Sequence, residues 1–171
     1  MKRIIASLIN RLAFICPGGY KVRPALQRWR GVSIGQRVWL GLYVYIDDLH
    51  PEALSIGDNC SIGLRTSILT HFYSGPRRAT GNGKVVIEKN VFIGPHCVIL
   101  PNVRIGEGAV ITAGTVVSRN VPPHTYWAAP PAEGVAELSV PLTAEHTFAE
   151  FLRGMKPVSR STTAVRQRVG A

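Results

Sequence analysis

The chain has 171 residues, enough for one domain with a sizeable core, and a formal net charge of +10. Residues 1–30 hold seven basic residues (Lys2, Arg3, Arg11, Lys21, Arg23, Arg28, Arg30) and no acid, and residues 151–171 hold five (Arg153, Lys156, Arg160, Arg166, Arg168) and no acid, leaving eight basic against all ten acidic residues in 31–150. That near-neutral middle argues against a nucleic-acid-binding body, and the basic ends suit an anionic surface or partner. Three widely spaced cysteines (Cys16, Cys60, Cys97) argue against a disulfide framework and a cysteine zinc site, and for a reducing, cytoplasmic compartment.

In chain order, residues 2–15 place Ile4, Ile5, Leu8, Ile9, Leu12 and Ile15 at helical spacing. Asn10 and Arg11 interrupt the apolar stretch and no small-x-small cleavage site follows, so the segment reads as mature sequence. A basic amphipathic helix of this kind lies in a membrane interface or packs its apolar stripe on protein. Cys16-Pro17-Gly18-Gly19 ends it, and a second short basic helix is expected over 20–31. Residues 1–31 thus form a basic helical cap.

From Gly31 a period of six begins. Every sixth residue is aliphatic: Ile34, Leu40, Ile46; Ile56, Ile62, Ile68; Ile87, Ile93, Ile99, Ile105, Ile111, Val117. Two residues before each lies a small or medium side chain, from Val32 and Val38 through Cys60 and Cys97 to Ala109 and Thr115. Six of the twelve are followed by Gly (Gly35, Gly41, Gly57, Gly63, Gly94, Gly106). Six residues make a short strand and a tight turn, and three such units return the chain to its start one strand spacing on. The expected fold is a parallel β-helix over 32–122, with the aliphatic column inside and Gly supplying the positive φ of the turns.

The beat breaks twice: at Asp47-Asp48-Leu49-His50-Pro51-Glu52, and in an excursion loop over about 70–84 containing His71, Arg77 and Arg78. Loops on a repeat scaffold commonly carry function. After Pro122-Pro123 the chain is expected to leave the coil, with a short helix within 143–154 and a polar, basic tail. Residues 123–171 form that extension.

The segments IGDNCSIG, ILTH, VVIEKNVFIGPHCVILPNVRIGEGAVITAGTVVSRNVPP and AAPPAEGV resemble the hexapeptide-repeat acyltransferases over roughly 32–137. The nearer relatives are galactoside, maltose and surface-polysaccharide O-acetyltransferases, with xenobiotic acetyltransferases close by. The resemblance implies a left-handed β-helix, a homotrimer, acetyl-CoA as co-substrate in a groove between subunits, and a catalytic His at the start of an excursion loop. His71 matches that His. An imidazole there takes the proton of an acceptor hydroxyl as it attacks the thioester in a ternary complex. Ala113 matches the residue whose backbone meets the pantetheine arm, Ser118 and Arg119 a Thr-Lys pair near the adenosine phosphates, and Gly94 and Pro95 positions lining the same groove. Asp48 falls near an acceptor-binding Asp, and Arg77 stands beside His71 for an anionic acceptor or the CoA phosphates. Ala129 and Glu133 depart from the family's Gly and Lys, and the acceptor is expected to differ from a simple galactoside.

His71 and His96 are 25 residues apart with no close second His, so no metal is expected. The reading is O-acetylation of a sugar or surface-glycan precursor at the inner face of a membrane. The alternatives are a xenobiotic or nucleotide-amino-sugar N-acyltransferase, or a β-helix serving only as a scaffold.

Overall fold

The computed structural model describes residues 2–71, 83–130, 136–141, 143 and 145–157. Two helices lead: α1 (Lys2–Ile15) and α2 (Val22–Trp29). Four coils of three short strands follow. They are β1 (Ser33–Ile34), β2 (Trp39–Leu40) and β3 (Tyr45–Ile46); β4 (Leu54–Ile56), β5 (Ser61–Ile62) and β6 (Ser67–Ile68); β7 (Val85–Ile87), β8 (Phe92–Ile93) and β9 (Val98–Ile99); β10 (Arg104–Ile105), β11 (Val110–Ile111) and β12 (Val116–Val117). Each strand pairs in parallel with its equivalent one coil on, giving three sheets: β1-β4-β7-β10, β2-β5-β8-β11 and β3-β6-β9-β12. The structure is the left-handed parallel β-helix.

Register follows the six-residue beat. Ile87 lies against Ile105, Ile93 against Ile111 and Ile99 against Val117. All of the aliphatic column except half-buried Ile34 is buried, as are the residues two positions earlier. Each buried Ile, Leu or Val contributes about 1.5–3 kcal/mol. Cys60 and Cys97 sit in this interior, each Sγ donating to a carbonyl of the next coil, Glu88 (2.9 Å) and Thr112 (3.1 Å). Burial pushes both thiols above their ordinary pKa, the state of an inert core cysteine.

The glycines after the aliphatic column have a different role from the expected one. Positive φ falls two residues later in nine of the twelve repeats, at Arg37, Tyr43, Asn59, Arg65, Asn90, His96, Asn102, Gly108 and Gly114. The column glycines are required by close approach instead. A Cβ on Gly63 would lie 2.4 Å from Pro95 N, and one on Gly94 would lie 2.6 Å from Ala113 N. Two consequences are measurable by thermal denaturation. Gly63→Ala costs about 1–3 kcal/mol through backbone displacement. Gly114→Asn, at φ 71° with open space around it, stays within about 0.5 kcal/mol, because Asn tolerates the left-handed region.

The coil also runs further than expected. Val121 bridges to Ile105, and β13 (Tyr126–Trp127) adds a fifth strand to the second sheet beside β11. Trp127 packs against the core above Ile111, so the large indole covers the open end of the column. A second compact unit follows residue 129. In it β14 (Ala136–Leu138) pairs antiparallel with β15 (Met155–Pro157). Between them α3 (Phe148–Arg153) starts at a capping box in which Thr147 and Glu150 satisfy each other's backbone N–H groups.

Candidate active site

Both breaks in the beat leave the helix at the same corner, between the third sheet and the first. Asp47 follows β3, and Thr70 and His71 follow β6, the strand stacked on it. The stacking brings residues 24 apart together: His71 Nδ1 lies 2.5 Å from Asp47 Oδ2. Asp47 is fully buried and also accepts Leu49 N–H on Oδ1 and Thr70 N–H on Oδ2, each at 2.9 Å. Burial is the largest single influence on its carboxyl and disfavours the charge. The two backbone N–H groups and His71 together outweigh it and hold the carboxyl below its ordinary pKa. Asp47 is therefore a fixed carboxylate. It accepts from Nδ1–H of His71, which makes Nε2 the basic nitrogen of the ring.

The helices secure this corner from below. Arg30, itself buried, donates to the carbonyl of Asp47 (2.8 Å), to Asn10 Oδ1 (2.8 Å) and to Gln27 Oε1 (2.6 Å). Asn10 in turn donates to the carbonyl of Ile46 (3.0 Å). Asp48 receives Asn10 Nδ2 at 2.7 Å and pairs with Arg30 at 3.2 Å. Of the two adjacent acids, Asp47 meets the histidine and Asp48 meets the helices.

The other residues singled out in the sequence border the same third sheet. Gly94 and Pro95 stack directly beneath Ala113 and Gly114 at its near corner, where Pro95 O accepts Gly114 N–H at 2.9 Å. Ser118 and Arg119 follow β12 at the corner that also carries His71, two coils higher, or about 10 Å. The Arg119 guanidinium lies over the Trp127 ring, 5.3 Å from its centre. On the outer face of the lower coils a recess of about 560 Å³ is lined by Phe14, Tyr43, Tyr45, Arg65 and Ser67. His96 is exposed at its turn. Arg77, Arg78 and Glu133 lie outside the described residues. Among the described residues no group of three or more His, Cys, Asp or Glu side chains is placed to hold a metal ion.

Residues 84–119 match the family model of the bacterial transferase hexapeptide (six repeats), and residues 53–70 match that of the hexapeptide repeat of succinyl-transferase. Residues 53–70 and 84–119 thus carry the repeats of the hexapeptide transferases. This hexapeptide-repeat chain is 40% identical over 95 residues to a Bacillus subtilis (strain 168) protein named "Putative acetyltransferase YvoF", covering 56% of the chain and 54% of that protein. It is 31% identical over 137 residues to serine acetyltransferase 4 of Arabidopsis thaliana, covering 77% of the chain and 38% of that protein. The chain thus spans about half or less of the length of these relatives. In fold it resembles the hexapeptide-repeat acetyltransferase VCA0836 of Vibrio cholerae, with a TM-score of 0.53 at 24% identity over 77% of this chain and 88% of that one. The same Vibrio protein has been solved with acetyl coenzyme A.

Asp47 and the Asn10–Gln27–Arg30 cluster escaped the sequence reading. The available signal was positional: both interruptions follow the third strand of a coil, so their first residues must stack.

Proposed function

We propose that the protein is an acetyl-CoA-dependent O-acetyltransferase acting on a hydroxyl of a sugar or surface-glycan precursor. The observation that carries this reading is the Asp47–His71 pair at an edge of the third sheet. His71 Nε2 takes the proton of the acceptor hydroxyl as its oxygen bonds to the thioester carbonyl carbon. The tetrahedral intermediate collapses, the carbon–sulfur bond breaks, and the CoA sulfur leaves with the proton held on Nε2. Asp47 stabilises the imidazolium between these two transfers.

The recess on the same sheet suits the acceptor. Its size matches a small ligand site, and Phe14, Tyr43 and Tyr45 give it an aromatic lining suited to the apolar side of a pyranose, beside Ser67 and Arg65, whose guanidinium lies over the Tyr43 ring. The pantetheine arm would run along the Gly94–Ala113 corner, with Arg119 toward the phosphates. Outward-facing Phe92 and Val116, both exposed, suit packing by further copies in a homotrimer, which analytical ultracentrifugation reads.

Calorimetric titration with CoA, followed by a mass-spectrometric product screen over glycans, amino sugars and antibiotics with acetyl-CoA, tests the assignment. CoA binding together with an O-acetylated sugar supports it. Absence of CoA binding leaves the scaffold reading, and an N-acetylated product leaves the N-acyltransferase reading. Arg119→Ala is expected to weaken CoA by about 1 kcal/mol, roughly fivefold in Kd, without altering dephospho-CoA binding to the same degree.

A further inference from the structure

The two N-terminal helices bury several polar side chains and leave an apolar stripe exposed. Ordinary surface helices bury an apolar stripe and expose polar residues. Here α1 buries Asn10 and Ala13, and α2 buries Arg23, Pro24 and Gln27, with Arg30 buried at its C-cap. Arg23 donates to the carbonyls of Leu40 and Cys16 (both 2.7 Å), and both terminal nitrogens of Arg30 donate, leaving its Nε as the one buried side-chain atom without a partner among the described residues. Ala13 and Pro24 are buried and Ile9, Phe14 and Leu26 half-buried, while the other described large apolar residues face out. On α1 they are Ile5, Leu8, Leu12 and Ile15, spaced three, four and three apart along one stripe, with Ile15 62% exposed. On α2 they are Val22 and Trp29, seven apart on one face, with Trp29 73% exposed. Arg11, exposed, lies three residues after Leu8 and four before Ile15 and so borders the α1 stripe, while exposed Lys21 and Arg28 flank the α2 face.

A stripe of this kind demands an apolar cover, and its charge selects which one. Residues 1–30 carry seven basic residues and no acid; Arg23 and Arg30 are buried, Arg28 donates to the Ile34 and Gly35 carbonyls, and Arg11 and Lys21 are exposed. Aliphatic side chains edged by arginine and lysine, with an indole alongside, match the boundary between acyl chains and anionic headgroups. A helix of 14 residues is too short to cross a bilayer. We propose that α1 and α2 seat the protein on an anionic lipid surface, with the Ile5–Leu8–Leu12–Ile15 stripe entering the interface and the exposed Arg11 and Lys21 on the headgroups. The same helices hold the Asp47 corner through Arg30 and Asn10, so the seat brings the β-helix and its recess to a lipid-linked acceptor.

Vesicle flotation of the full chain tests this. The protein is expected to float with phosphatidylcholine vesicles containing about a third phosphatidylglycerol, and roughly tenfold less with phosphatidylcholine alone or at high salt. Leu8→Glu/Leu12→Glu is expected to reduce binding at least about tenfold with the thermal transition and the assembly mass unchanged. Trp29→Ser, on the other helix, provides an independent reading of severalfold loss should the double variant fail to fold. Failure of the wild-type chain to float overturns the proposal. A variant that changes assembly mass while vesicle binding persists also overturns it, since the stripe then seats a second copy. CoA binding in vesicle-free solution reports separately on the acetyltransferase reading.

Discussion

His71→Ala is expected to lower acetyl transfer by about 10²–10⁴-fold in kcat while leaving CoA affinity within a factor of about three. The asymmetry follows from position. His71 stands at the rim of the excursion loop against Asp47, whereas the residues assigned to the cofactor lie along the Gly94–Ala113 corner and at Arg119. Removing the imidazole leaves Asp47 with its two backbone donors, Leu49 and Thr70 N–H, so the corner keeps its shape. The measurement is release of free CoA thiol with the acceptor from the product screen, paired with calorimetric CoA binding. Full retention of transfer would sink the general-base role. An amine acceptor with less than about tenfold dependence on His71 would favour the N-acyltransferase.

Asp47→Asn couples activity to stability. The carboxylate accepts Leu49 N–H on one oxygen and both Thr70 N–H and His71 on the other. An amide in either orientation sets its NH₂ against a backbone N–H in a fully buried site. That costs about 1–3 kcal/mol, or about 3–10 °C in Tm for a chain of this size. The variant also loses the partner that fixes the His71 tautomer, for an expected 10–100-fold fall in kcat.

The pH dependence has a definite sign. The Asp47 carboxyl is held below its ordinary value, so its contribution is fully present above the unfolded-state pKa of about 4 and is lost as pH falls through the lower folded value. Acid titration monitored by circular dichroism should show the wild type losing stability below about pH 4 more steeply than the Asn variant. Equal slopes would show that Asp47 is not the buried carboxylate that titrates.

The β-helix was legible because its core is one-dimensional. A residue's place inside depends on its position modulo six, so the Ile, Leu and Val column and the smaller column beside it are local information. His71 was legible through its ILTH segment and the loop that follows. Asp47 was not, because Asp47 and Asp48 are chemically identical neighbours, and only the stacking of β3 under β6 shows which one meets the imidazole. The column glycines were recognised for the wrong reason: their need for space comes from the coil above, which no single repeat contains. The HTYW segment was read as an exit, because a six-residue count that stops at two prolines does not reveal that the end of a hydrophobic column needs a lid, which Trp127 supplies.

The sequence by itself determined the period, hence the three parallel sheets, the buried aliphatic column and the two points where the chain must leave it. Those properties follow from hydrophobic spacing and turn length along a continuous stretch of chain. The tertiary structure alone decided that Asp47 and not Asp48 holds His71, and that Asn10, Arg23, Gln27 and Arg30 turn inward. Both depend on which donors and acceptors on distant strands and helices find each other once the coils stack, and burial then makes those pairings obligatory.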